Sequence, residues 1–263
     1  MSMQIRSTDS NPDKRILLVG IDSRSLSRVG RWPWSRETQA ELLAAIQAQK
    51  PESVFVDVVY TDGGSPAGDA ALVSAAAKID QLVLPVVIDA VTPGGTLLEQ
   101  LPFPDLLDVA DHLGHVHVAP DGDGIVRGSY RYEGIGEPHW PHIGWLLSGL
   151  PETVEERSRA ECTQDAQSSI ANERCAYRRI WFAGPPGSFQ HVSAHEVLTG
   201  AVDAKVLQGR IVLVGRTDLG APDAIPVPVS AEIRPMAGVE YNANVLNAVV
   251  QGGVLAPVPP WAI

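Results

Sequence analysis

Long apolar runs are missing from this 263-residue chain, and so is any excess of positive charge. No stretch reaches the ~18 apolar residues that a membrane-crossing helix needs. The opening MSMQIRSTDSNPDKR has no apolar core of the kind found in secretory leaders. Lys and Arg total 20 against 31 Asp and Glu, a net charge of −11. Such a surface repels nucleic acid and anionic membranes, so no nucleic-acid partner is expected. Cysteine occurs only twice, at Cys162 and Cys175, with a spacing that fits no C-x-x-C zinc or redox signature. The two read either as unrelated thiols or as a disulfide stapling a polar excursion at 151–177. The disulfide would be worth ~3 kcal/mol and requires an oxidising compartment.

What the chain does have is ordinary globular material, 44% hydrophobic and 19% charged, which can bury a sizeable core. Short β-branched runs alternate with helical patterns. RILLVGID (15–22), SVFVDVVY (53–60) and QLVLPVVI (81–88) read as buried strands. Between them, 36–49 carries Ala, Leu and Ile at helical spacing behind the N-cap candidate Ser35, and 68–79 gives a second helix. The layout predicts an α/β fold in a single domain: a mixed, predominantly parallel sheet with helices on both faces. The runs 15–22 and 53–60 are expected as adjacent central strands. Two extended runs around Asp121-Gly122-Asp123-Gly124 (114–133) predict a hairpin. RRIWFAG (178–184) and RIVLVGR (210–216) add strands, and Ser193 with Glu196 has capping-box spacing. A last amphipathic helix, 238–251, puts Val239, Ala243, Leu246 and Val250 on one face. Residues 1–14 read as a linker or flanking remnant.

Catalytic motifs fail in turn. VGIDSRSLSRVG lacks the dinucleotide fingerprint, GRTDLGAP lacks the P-loop lysine, and no G-x-S-x-G elbow occurs. The DGDG segment has an isoleucine and a valine where a calcium loop needs an acidic residue and glycine, so a tight turn is expected there. His115 and His117 alternate on one strand face, as zinc ligands can, but no third ligand is evident and ordinary histidines are the simpler reading. Asp22 and Asp57 stand near the C-terminal ends of parallel strands, where open α/β sheets place ligands. They read either as ligand-binding carboxylates or as structural groups that cap loops or pair with Arg36 and Arg127. No catalytic residue, metal or cofactor is assigned.

The segments VGIDSRSLSRVGRWPWSRETQAELL, SVFVDVVY with Asp69 after it, LGHVHVAPDGDGIVR, WFAGPPGSFQHVSAHEVLTG, GRIVLVGRT and AGVEYNANVLNAVVQGG follow a recognisable order. Together they resemble the CHASE domain of type two, the cyclase- and histidine-kinase-associated sensory extracellular domain, over residues 15–260. The resemblance implies an extracytoplasmic domain, periplasmic or at the cell surface, of a bacterial cytoplasmic-membrane protein. Transmembrane helices would flank it, and PVPPWAI would lie where the membrane begins. It implies a cytoplasmic adenylate cyclase, diguanylate cyclase or two-component histidine kinase as output, and it carries over no ligand and no catalytic residue.

In that setting Trp32 and Trp34 either plug the crevice wall or line a ligand site, and Pro33 stiffens their loop. Arg36 is expected to reach Asp22 or Asp57. Asp123, Arg127 and Glu240 are structural or transmission candidates, with Glu240 favoured as the cap of the last helix. The expected function is to bind an unknown small-molecule or protein signal, in a homodimer, and regulate a cytoplasmic output. The alternatives are a metal-dependent hydrolase and a structural dimerisation module.

Overall fold

The computed structural model describes residues 11–90, 96–151, 162–164, 172–203, 205–218, 220, 224–230 and 235–255. Its main sheet starts from the most apolar run in the chain, β1 (Ile16–Ile21), whose residues are all buried. Leu17, Val19 and Ile21 face one core and Ile16 and Leu18 the other, the period-two alternation of a strand covered on both faces. Asp22 caps α1 (Ser23–Val29), and Ser35 caps α2 (Arg36–Gln47) by accepting the Thr38 N–H at 3.2 Å. β2 (Ser53–Val56) follows, then α3 (Pro66–Ala76), which begins with proline behind the cap Ser65. The chain continues through β3 (Leu82–Ala90), β4 (Leu97–Gln100), α4 (Pro104–Leu107) and β5 (His112–His115).

The next stretch builds a second sheet: β6 (Gly128–Ile135), β7 (Trp140–Pro141), β8 (Cys162–Gln164) and β9 (Asn172–Ile180), with α5 (Ile143–Leu147) between β7 and β8. The chain then returns through β10 (Gln190–Ser193), α6 (Ala194–Leu198) and β11 (Ile211–Arg216). It closes with α7 (Gly238–Val250) and β12 (Val254–Leu255). The Ser193–Glu196 capping box is present at the start of α6.

The main sheet has the order β10-β1-β11-β2-β3-β4, with β5 also on β3, and every pairing is parallel except β3 with β4. It is mixed and predominantly parallel. Helices α2, α3, α4 and α6 pack on one face, α5 and α7 on the other. The strands at 15–22 and 53–60 are both interior but not adjacent, because β11 inserts between them with six pairs to β1 and four to β2. Its buried Ile-Val-Leu-Val run fits a central slot, and nothing local to the first two strands could reveal it.

The second sheet, order β12-β9-β6-β7 with β8 on β9, is antiparallel throughout and was not anticipated. The DGDG segment does make a tight turn, with the Gly124 N–H on the Asp121 carbonyl at 2.8 Å. It closes only a minimal ladder, the antiparallel Pro120–Val126 bridge, and not the longer hairpin expected over 114–133, because β5 before it joins the main sheet and β6 after it the second. Part of the polar excursion is structural as well. Its end is β9, where Cys175 sits directly opposite Cys162 and is disulfide-bonded to it, Cα to Cα 4.0 Å. Cys175 is buried with Tyr132 and Ala176, so the bridge touches a small core rather than a bare loop.

Helix α7 does present Val239, Ala243, Leu246 and Val250 to one core, but its other side is not left to solvent. It is buried from Gly238 to Val249 because it runs between the two sheets. Val239, Ala243 and Leu246 enter the core against β1 and β11, while Tyr241, Val245 and Ala248 enter the core under the second sheet. Among the described residues no helix is long and apolar enough to cross a membrane.

Candidate functional site

A cleft of about 740 Å³ opens at the C-terminal ends of β2 and β11, lined by Trp32, Trp34, Arg36, Gln39, Asp57 and Arg216 among others. This is the end of a parallel sheet where strand termini splay and ligands bind. One wall is the loop between α1 and α2. Gly30 adopts φ +126°, a backbone region open to glycine, and ends α1. The loop then carries the cis Trp32–Pro33 peptide. The Trp34 indole N–H donates to the Gly30 carbonyl at 2.9 Å, its ring is buried in the core, and Trp32 packs edge-on against it at 5.6 Å.

Gln39 of α2 locks this wall from behind. Its amide donates to the Trp34 carbonyl and accepts from the Tyr60 hydroxyl, both at 2.7 Å. Burial holds the Tyr60 phenol well above its ordinary value, so it stays a neutral donor. Trp34 is buried in the core, half-buried Trp32 packs against the same core, and both line the cleft.

The charged groups are arranged differently from expectation. Arg36 forms its ion pair with Asp69, Nε to Oδ1 3.6 Å, donates Nη2 to the Asp62 carbonyl at 3.1 Å, and lies 4.5 Å over the Tyr60 ring. Arg216, not foreseen, is held by Asp218 through two 2.9 Å bonds. Asp57 accepts the Asn242 amide at 3.5 Å, which brings α7 to the edge of the site. Its Cβ also lies close to Gly215, where an added Cβ would stand 3.1 Å from Asp57 and 2.7 Å from Val239. Gly215 is what lets α7 approach the sheet here. The backbone N–H of Glu37 itself and the Ser35 hydroxyl hold Glu37, on the rim, below the ordinary glutamate range.

Asp22 does not join Asp57 in the cleft. Its carboxylate accepts the Ser25 N–H at 2.7 Å and the Ser193 hydroxyl at 2.9 Å, which ties α1 to α6. Burial pushes its pKa up, but those bonds outweigh it and the net shift is downward. Glu240 is not the helix cap either. It is buried and accepts the Gly187 N–H at 2.6 Å, so it anchors the segment before β10. Arg127 clamps the DGDG turn, with bonds of 2.7 Å to Asp121 and 2.7 and 2.9 Å to Asp123. Those bonds, first the side-chain contact from Arg127, hold Asp123 far below the ordinary range.

The histidines lie elsewhere, at the seam between the sheets. His115 and His142 are fully buried with rings 5.0 Å apart, and His115 and His117 stand 3.5 and 3.6 Å from the buried Glu133. Glu133 is already served by Asn172 at 2.8 Å and Arg174 at 2.9 Å. The Nδ1 atoms of His115 and His142 accept backbone N–H groups, from His117 and Gly144. Among the described residues no group of three or more His, Cys, Asp or Glu is arranged to hold a metal ion.

Trp32, Arg36, Asp57 and Arg216 thus share one open cleft at the C-terminal end of a parallel sheet. The family model described as the CHASE2 domain matches residues 1–263, the whole chain, and the chain belongs to the CHASE2 family. CHASE2 is an extracellular sensory family associated with cyclases and kinases, sensory rather than catalytic. No curated protein and no solved structure matches the chain.

Proposed function

We propose that this domain receives a small-molecule signal in the cleft of Trp32, Arg36, Asp57 and Arg216 and passes its occupancy along α7 to the segment that leads into β1. The observation that carries this reading is the course of α7. Its first turns touch the cleft, through Val239 at Gly215 and Asn242 at Asp57. Its last turns hold the opposite end of the sheet, where Asn247 accepts the Asp13 N–H at 2.8 Å and Gln251 donates to the Asn11 carbonyl at 3.0 Å. Packed between two sheets, the helix cannot dissipate a displacement into solvent. A ligand transmits only its differential affinity for two positions of that helix.

In the receptor this implies, the domain lies outside the cytoplasmic membrane between transmembrane helices, pairs with a second copy, and controls a cyclase or kinase on the other side. The test begins with thermal-shift screening of the domain against metal ions, amino acids and organic acids, since a ligand specific for the native state raises its melting point. Asp57→Asn in the full-length receptor should then weaken binding of the hit and alter output together. Unchanged affinity with unchanged output removes this carboxylate, and with it the cleft, from the mechanism.

A further inference from the structure

Resting on the cleft reading above, we propose that the ligand is a small zwitterion of the α-amino-acid class. Its carboxylate meets the guanidinium side, its ammonium meets Asp57, and an apolar side chain lies on Trp32.

The positive side is preset. Arg36 is held by Tyr60, Asp62 and Asp69, and Arg216 by Asp218, and among the described residues these contacts use Nε and Nη2 and leave Nη1 for another acceptor. The cap residues Ser35 and Ser65 of α2 and α3 line the same cleft. Two helix N-termini therefore add positive partial charge there. Guanidinium groups held in place need little reordering to take a carboxylate.

The negative side is Asp57, with Glu37 on the rim. Asn242 is buried, its amide nitrogen reaches Asp57, and its Oδ1 has no hydrogen-bond partner among the described residues. An ammonium group, with three donors, pairs with the Asp57 carboxylate. A simple anion entering the cleft would face Asp57 and Glu37, and a simple cation would face Arg36 and Arg216. A molecule carrying both charges close together on an apolar body matches both sides and uses the indole wall of Trp32. The volume of about 740 Å³ has room for a side chain as large as an aromatic ring.

The test uses the unaltered chain and three compounds that differ by one charge each: L-phenylalanine, 3-phenylpropanoate and 2-phenylethylamine. Calorimetry and thermal shift should show saturable binding of phenylalanine and binding roughly tenfold or more weaker for each of the others, the loss of one charge-assisted contact. Asp57→Asn should bring phenylalanine down to the affinity of 3-phenylpropanoate while leaving 3-phenylpropanoate unchanged, a selective loss that general loosening of the fold does not produce. Equal binding of either single-charge compound overturns the zwitterion and leaves the cleft reading standing. An unrelated compound whose binding Trp32→Ala abolishes, with no response to any α-amino acid, has the same consequence. Phenylalanine binding that survives both Asp57→Asn and Trp32→Ala unchanged overturns both.

Discussion

Asn247 on the last turns of α7 accepts the backbone N–H of Asp13 at 2.8 Å, across 234 positions of sequence. The bond ties the helix that touches the cleft to the chain just ahead of β1. Asn247 is buried, so Asn247→Ala leaves a shielded donor unpaired and should cost about 1–3 kcal/mol. Urea unfolding measures the cost, and hydrogen exchange should show the loss of protection concentrated at Asp13.

Gly215→Ala should separate the helix from the sheet at the other end. Its Cβ would stand 2.7 Å from the Val239 Cβ, and neither atom belongs to a flexible chain end. A destabilisation of about 1–3 kcal/mol is expected, with weaker ligand response because Asp57 is crowded at the same point. A melting curve together with a binding titration checks both parts, and an unchanged melting point would contradict the tight approach.

The two tryptophans should respond in opposite ways. Trp34→Ala removes a buried ring and its hydrogen bond and should cost about 3–5 kcal/mol. Trp32→Ala removes a half-buried ring and should cost clearly less stability but more ligand affinity. Denaturation midpoints and titrations of the two variants side by side give the ranking.

Acid should weaken the fold at the seam between the sheets. Burial drives His115 well below the ordinary histidine value, helped by His142 and opposed in part by Glu133. Burial, with His117 nearby, pushes His142 down to about 3. Both are neutral when folded, whereas the unfolded chain takes up protons near about pH 6.5. Stability is therefore fully present above that pH and falls as pH drops toward about 3. The slope is at most about 1.4 kcal/mol per pH unit for each histidine. His142→Asn keeps an acceptor for the Gly144 N–H and removes one titrating group. Urea midpoints from about pH 8 to about pH 4 should show a shallower slope for this variant.

The Cys162–Cys175 bridge closes a short loop between neighbouring strands of the second sheet. Material from an oxidising compartment should show no free thiols when unfolded without reductant. Replacing both by serine should cost about 3 kcal/mol and leave the domain folded, because Cys175 belongs to the smallest of the cores and the three larger ones contain neither cysteine. Loss of the native circular dichroism spectrum in the double variant would contradict this.

Local chemistry made much of this readable in advance. Ser35 ahead of a helical apolar pattern, Ser193 and Glu196 at capping spacing, and Asp121 to Gly124 as a turn are settled within a few residues, so the sequence shows them directly. Trp32, Arg36 and Asp57 could be singled out because strand ends and the loops after them are where α/β sheets bind ligands. Arg216 and Asn242 were missed. One ends an apolar strand and the other sits inside an apolar helix, and neither carries a signal until the fold brings it to Asp57.

The sequence by itself determined the α/β class, the buried strands β1, β2, β3 and β11, the Ser35 and Ser193 helix caps and the family, since each rests on short-range periodicity, caps or a recognisable order of motifs. Only the tertiary structure decided which strands are neighbours and which charges meet. β11 slots between β1 and β2, β6 and β9 leave the main sheet to form another, and α7 becomes buried on every side because two sheets close on it. Arg36 takes Asp69, Asp22 takes Ser193, and Glu240 takes Gly187. Such pairings join residues from about thirty to more than 170 positions apart, and their energy exists only once the chain has folded. Nothing in the local pattern of either partner can announce them.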